Sequence, residues 1–454
     1  MTSAEKRIEI FENMPVRKAV CAQIIPAIAS QMIALIYSLA DTYFVGMLND
    51  PNQTAAVTVV SMSFAMLTAI SNLFGIGGAS MVARSLGKKQ PDKARQISAI
   101  SFWGGVLSAF TLSLLLFSLA DPILHLCGAT ADTYDFAHVY AMWVIVIGGP
   151  PTILNTLLAN LVRSEGSAKT ASFGVSMGGI INIILDPIFV LPQFLGFGVA
   201  GAGMATALSN LISASYLLGY ILLRRKTTVL SIHPKHLRSA GEHLGKILSI
   251  GLPSAVQFAL TVVSVAALMN FTSHYDTEAV AGLGIVRKLD NIPLYFSTGL
   301  ANGLLPLLAY NHSAGNHERR KQAFQFGCMI SLGFSLLCVL CFELFAPQLV
   351  GLFIKDSLTR SYGAVFLRIM VIAMPLMSLC YPMIIQFQGM GRVKESLVCS
   401  ILRKGVMDIP LLFMLDAILP LYGCMMVQPI VDSISLAFAI VYYRRINRQL
   451  QLNQ

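Results

Sequence analysis

Residues 20–47 read VCAQIIPAIASQMIALIYSLADTYFVGM, a run long enough to cross a bilayer whose only charge is Asp41. A spanning helix needs about 20 predominantly apolar residues. A carboxylate at its centre costs about 2.5–3.5 kcal/mol on insertion scales. Residues that expensive generally serve ion or substrate movement. The stretch sets two expectations: an integral membrane protein, and a functional acid inside it.

The rest of the chain repeats the theme. Hydrophobic residues make up 55% of the 454 residues, charged ones 12%, and the mean hydropathy is +0.69. A soluble chain carries about 25% charge. Eleven further apolar runs follow, at 54–82, 98–120, 136–160, 171–192, 199–222, 248–273, 279–308, 323–345, 364–388, 396–419 and 424–443. The reading is an all-α integral membrane protein of twelve transmembrane helices.

Residues 1–18 mix Lys6, Arg7, Glu9, Glu12, Arg17 and Lys18 and do not read as a signal peptide. Most of the 32 Lys and Arg lie before the first run, in the even-numbered connections (84–97, 161–170, 223–247, 309–322, 389–404), or after the last run. Positive charge marks cytoplasmic loops. Both termini are therefore expected in the cytoplasm, in the inner membrane of a bacterium. The net charge of +10 is this bias, not a nucleic-acid-binding face. A monomer is expected, with the lipid bilayer as its surroundings. The eight cysteines, including the Cys338-x-x-Cys341 pair, read as packing residues.

The two halves echo each other at a near-constant offset. Pro26-Ala-Ile-Ala-Ser-Gln31 answers Pro253-Ser-Ala-Val-Gln257, and Thr54-Ala-Ala-Val57 answers Glu278-Ala-Val-Ala281. Arg163-Ser-Glu-Gly166 answers Gln388-Gly-Met-Gly391. Six spans per repeat is even, so both halves share one orientation, with an axis along the membrane normal and a cavity between them. The expected division is an N-lobe at 1–222, a basic connecting loop at 223–247 and a C-lobe at 248–454. Pro26 and Pro253 remove backbone donors and are expected to kink their helices. Gly174-x-x-x-Gly178 and Gly299-x-x-x-Gly303 offer close helix approach.

Leu39-Ala-Asp-Thr-Tyr-Phe-Val-Gly46, Ala83-Arg-Ser-Leu-Gly87, Arg163-Ser-Glu-Gly166 and Gly198-Val-Ala-Gly-Ala-Gly203 resemble the multidrug and toxic compound extrusion (MATE) transporters. So does Asn182-Ile-Ile-Leu-Asp-Pro-Ile-Phe189, the most specific stretch. Gly284-Ile-Val-Arg287 and Leu305-Pro-Leu-Leu-Ala-Tyr-Asn311 extend the resemblance over the second half. It implies a secondary antiporter, not an enzyme. Organic, mostly cationic compounds would leave in exchange for inward H⁺ or Na⁺, without a bound cofactor.

Asp41 is the leading coupling candidate, because burial disfavours the charged form of a carboxyl and so allows proton exchange. Tyr37 and Ser38 share its helix face. Asn182 and Asp186 are four residues apart on one face, which the resemblance places opposite Asp41. Two carboxylates in one dry site titrate together, and with amide oxygens Asp41 and Asp186 would also suit Na⁺. The resemblance adds Tyr140, Asn160 and Thr206, with Asn155 competing for the place of Asn160.

Some family members carry acids on spans seven and ten. Here 253–271 and 370–390 hold none, and the counterpart of Asp41 is Leu268. Coupling is therefore expected in the N-lobe. Arg287 and Asp290, with Lys288, form a charge cluster in span eight, either lining the cavity or snorkelling. Gln31, Met62, Met66, Met177 and Gln257 are candidate cavity liners, since Met is adaptable. The alternative reading is a flippase for lipids or lipid-linked precursors, which would want a larger, more cationic cavity.

Overall fold

The computed structural model describes residues 9–452, apart from the side chains of Met62, Ser63 and Leu126. The Met62 expectation therefore lies outside the described residues. Hydrocarbon offers backbone polar groups no water, so spanning segments satisfy them internally as helix. Among the described residues nine helices are long and apolar enough to cross a membrane. Two bent pairs, Tyr134–Ile147 with Gly149–Ser164 and Ser357–Val371 with Ala373–Met390, bring the count to 11. The remaining expected span, 396–419, is divided into Val393–Arg403 and Asp408–Ile418, of 11 residues each. These are twelve helical units, six in each half.

In order, spans one to three are Val16–Gly46, Pro51–Gly87 and Pro91–Ser118. Span four is the first bent pair, and spans five and six are Ala168–Val190 and Gly198–Leu223. Spans seven to nine are Ala240–Ser273, Thr277–Ser313 and His317–Gly351. Span ten is the second bent pair, span eleven the divided helix and span twelve Tyr422–Leu452. Several helices overrun the expected apolar runs, because polar helical turns continue beyond the hydrocarbon. Turns between spans are set by local chemistry. Pro51 opens span two while the Asp50 carboxylate accepts the Asn52 N–H at 2.9 Å, a side-chain cap.

Spans one and seven run unbroken through Pro26 and Pro253. The sharp bends lie elsewhere, 44° at Gly148 and 45° at Ile372, which are near-equivalent places in the repeat. In span four a π turn, Met142–Ile147, precedes the bend, and Gly148 N–H donates to the Trp143 carbonyl at 2.8 Å. In span ten Pro375 cannot donate to the Val371 carbonyl, one residue before the break. Both are recognised causes of kinks.

Among the described residues the core shared by the halves lies towards the end that carries Val16 and Leu452. One core joins Phe11, Ile24, Val82 and Leu86 of the first half to Leu300, Leu304, Phe324 and Phe387 of the second, and a smaller cluster sets Ile76 and Ala79 against Ala301, Leu305 and Ile385. Towards the other end the core divides. One cluster, with Val45, Val60 and Val144, belongs to the first half. Another, with Val286, Phe366 and Val431, belongs to the second. The seam is made of glycines against backbone. A Cβ at Gly299 would stand 2.8 Å from the Ile28 Cα, and one at Gly303 would stand 2.7 Å from the Ile24 Cα. Gly77 faces the Ile247 carbonyl, and Gly251 faces Leu73. The glycine pair at 299 and 303 thus performs the close approach its spacing suggests, and Gly174 and Gly178 do so against span six.

Two polar clamps finish this end. Glu165 accepts from Tyr220 (2.9 Å), from Thr228 (2.6 Å) and from the Val229 N–H (3.3 Å), pinning the loop between the halves. Ahead of span one, the turn Glu9–Asn13 is held by the second half. Arg319 donates to the carbonyls of Phe11 (2.7 Å), Ile10 (3.2 Å) and Met14 (2.6 Å), and the Tyr310 hydroxyl donates to Glu12 at 2.6 Å.

Candidate functional site

Asp41 sits five residues before the end of span one, and Asp186 four before the end of span five. Both therefore lie in the part of the bundle where the halves have separated. Span five reaches span one because Gly179 carries no side chain: a Cβ there would lie 2.9 Å from Ile33 and 3.1 Å from Tyr37. The Tyr140 hydroxyl, from span four, donates to Asp41 Oδ2 at 3.4 Å. Asn182 Nδ2 donates to Asp186 Oδ1 at 3.3 Å and to Thr206 Oγ1 at 3.4 Å. Asp41 and Asp186 lie close enough to feel each other's charge, and Tyr37 feels both. Asp186 is fully buried despite its place near a helix end.

Three oxygens in this group are buried without a hydrogen-bond partner: Asp41 Oδ1, Asp186 Oδ2 and Asn182 Oδ1. Orphaned buried acceptors are rare and call for an explanation. A proton on either acid, or a small cation, would complete them. Among the described residues no group of three or more His, Cys, Asp or Glu gathers as a metal set. Two carboxylates plus an amide oxygen are what this site offers a cation.

The group continues inward as a relay. The Thr206 carbonyl accepts from Asn210 at 2.9 Å, Asn210 Oδ1 accepts from Asn155 at 3.0 Å, and Asn155 Oδ1 accepts from Ser213 at 2.7 Å. Asn155, not Asn160, joins the polar chain that starts at Asp186. Asn160 bonds elsewhere: Arg163, one turn on, donates to its Oδ1 at 2.8 Å, towards the opposite end of span four. The hydrogen bond to Asp41 comes from Tyr140 on span four, not from Tyr37 or Ser38 on its own helix face.

Sequence reasoning missed the matching place in the second half. At the repeat offset, Leu268, Asp408, Leu412 and Asp432 stand where Asp41, Asn182, Asp186 and Thr206 stand in the first. Leu268, Asp408 and Leu412 line one small cavity with Ser264, Arg287 and Gln428. It abuts the unwound residues 404–407 that divide span eleven. Irregular backbone at membrane depth is tolerated only inside protein or against a cavity. Beside it Arg403 and Asp432, 2% and 1% exposed, pair at 3.0 Å, with the guanidinium 4.3 Å above the Tyr381 ring. Lys404 donates to Gln428. Arg287 and Asp290 interact electrostatically with this cluster and with each other, without an ion pair between them within 4.0 Å. Arg403, Lys404 and Asp408 inside an otherwise apolar run were the available signal.

Of the expected cavity liners, Gln31 and Met177 are half-buried, Met66 is 52% exposed and Gln257 is buried. Gln31 borders Gly299 at the edge of the seam, its Cβ 3.2 Å from where a Gly299 Cβ would lie.

A family model described as MatE matches residues 26–188 and again 253–414, each match opening on a repeat proline. The chain belongs to the MatE family. These are membrane transporters rather than enzymes. The chain is 28% identical over 440 residues to the multidrug export protein MepA of Staphylococcus saprophyticus, covering 97% of this chain and 96% of that one. A solved outward-facing multidrug resistance MATE transporter of the MOP superfamily superposes with a TM-score of 0.90 at 24% identity, over 98% of both chains. A MOP superfamily transporter from Pyrococcus furiosus, described as having a binding pocket of reverse polarity, superposes with a TM-score of 0.91 at 23% identity over 98% of both chains. These likenesses establish the fold of this MatE transporter; its chemistry rests on its own residues.

Proposed function

We propose that this MatE transporter is a secondary multidrug efflux antiporter. It exports organic, mostly cationic compounds in exchange for H⁺ or Na⁺, coupled through Asp41 and Asp186 acting as a unit. The supporting observation is the pair of orphaned carboxylate oxygens on two packed helices, with the orphaned Asn182 oxygen beside them. The MepA relative, named for multidrug export, supports the substrate class.

The lobes are taken as residues 1–222 and 248–454, with 223–247 as the connection. The chain works as a monomer in a bacterial inner membrane with both termini in the cytoplasm. On that orientation the seam closes the cytoplasmic end and the structure is outward-facing. Proton or Na⁺ entry from outside neutralises the acids and disfavours a bound organic cation. Export then requires that ion and drug favour opposite states. The flippase reading draws on the cations Arg287, Arg403 and Lys404, but Asp290, Asp408 and Asp432 offset that charge.

The test is efflux of ethidium from energised vesicles under separately imposed pH and Na⁺ gradients. One gradient drives efflux in the parent, and Asp41→Asn abolishes it while the protein still inserts. Full gradient-driven efflux by Asp41→Asn sinks the assignment.

A further inference from the structure

At the end of the bundle that bears the termini, four cationic or imidazole side chains converge on the turn 390–392, where span ten stops. Gly391 adopts φ +73°, and the Arg84 guanidinium of span two packs where a Gly391 Cβ would stand, its Cζ 2.9 Å from that point. Arg320, at the start of span nine and 2% exposed, donates to Asn447 Oδ1 at 2.8 Å and contacts the Met390 sulfur. The rings of His312 and His317 lie 5.7 Å apart. His312 feels the charge of Arg320, His317, Arg84 and Arg392 together.

The cluster is short of acceptors. Arg84 Nε, Arg320 Nε, His312 Nδ1 and His317 Nδ1 are buried without partners. Among the described residues no carboxylate pairs with Arg84 or Arg320. Glu395 reaches Arg392 at 3.9 Å, and Glu318 accepts from Gln322 at 3.1 Å. A buried guanidinium lacking a counter-charge is costly. Here two guanidiniums come from opposite halves: Arg84 from the first, Arg320 from the second. Guanidiniums match oxyanions with paired N–H donors. Basic pockets between helices on a cytoplasmic face hold lipid head groups. Arg84, His312 and His317 are only partly buried, which leaves an approach from the aqueous end.

We propose that this cluster binds a phosphate-class oxyanion that bridges the halves through Arg84 and Arg320. The ligand is a lipid head group or a free phosphate. It binds best when the seam is closed, because only then do the two arginines share one turn. Its binding therefore favours the closed seam.

The experiment uses the full chain in nanodiscs and reads thermal unfolding. One arm titrates inorganic phosphate against chloride at matched ionic strength in phosphatidylcholine discs. The other replaces part of the phosphatidylcholine with phosphatidylglycerol, with retained lipid counted by native mass spectrometry. A saturable upward shift in Tm is expected in at least one arm, and the responding arm names the source. Arg84→Gln, which loses no side-chain hydrogen bond among the described residues, is expected to weaken the response at least tenfold, and Arg320→Gln likewise. Arg95→Gln, at a half-buried arginine paired with Asp92 away from the cluster, leaves it unchanged. No response in either arm, an equal response to chloride, or full binding by Arg84→Gln overturns the proposal. If Arg320→Gln does not fold, Arg84→Gln decides alone.

Discussion

Gly251→Ala is the sharpest probe of the seam. A Cβ at this position would lie 2.8 Å from the Leu73 Cα and 2.6 Å from its carbonyl carbon, with the carbonyl oxygen closer still. Ordinary contact begins near 3.4 Å, so the carbonyl carbon alone makes spans two and seven part by about 0.8 Å, and the carbonyl oxygen requires more. Both obstacles are backbone, and no rotamer change relieves them. Overpacking of this kind costs about 1–3 kcal/mol. The strain exists only while the halves are pressed together, so it falls on the closed seam and leaves the separated state untouched. The population with the seam apart should rise by about 5- to 160-fold, from the same figure. The assay is thiol labelling of Ala27→Cys, a site fully buried at the seam, with the native cysteines replaced. Labelling in the Gly251→Ala background is expected to accelerate by that factor. Gly219→Ala, where nothing lies within 4 Å of the new Cβ, serves as control. Equal labelling rates in the two backgrounds would refute the reasoning.

Removing one partner of the Arg403–Asp432 pair, as in Asp432→Ala, should cost about 3–5 kcal/mol, because it strands a buried charge. Arg403→Met with Asp432→Leu should recover most of that, read by thermal unfolding in detergent. Glu165→Gln gives up the ionic part of its bonds to Tyr220, Thr228 and Val229, in a class worth about 1.5–3 kcal/mol. Limited proteolysis should then cut within 224–239 at far lower protease concentration than in the parent. Arg319→Ala removes three bonds to the carbonyls of Ile10, Phe11 and Met14, and hydrogen exchange at 10–14 should rise while that of span nine stays unchanged.

Much of this architecture was legible because it rests on quantities that sequence carries directly. Long apolar runs fix spans, and the paired prolines at 26 and 253 fix the repeat. Asn182 and Asp186 had to share a face whatever they touched. What stayed hidden depends on partners with no sequence period. The divided span eleven reads as one run because hydropathy averages across Arg403, Lys404 and Asp408. Asn160 and Asn155 are equally polar on the same span, and only the reach of Arg163 decides which joins the relay. The seam and the grip of Arg319 are contacts to backbone carbonyls, which every residue offers. Nothing in the letters at Leu73 or Phe11 marks them as partners.

Span one joins two features that would otherwise need a chain of intermediaries. Ile24 and Ile28 rest on the second half, and Asp41 lies on the same unbroken helix about 25 Å beyond Ile24, at 1.5 Å per residue. A rod of this kind transmits rotation as well as displacement, so the azimuth of the acid relative to the seam is fixed by residue count alone. One inserted residue between Ala29 and Leu35 would turn Asp41 by about 100° away from Asp186, with every contacting side chain intact. Seven inserted residues would nearly restore the angle but carry the acid two turns further out. The spacing between seam and acid is therefore constrained as a length and a phase together, independently of which apolar residues fill it.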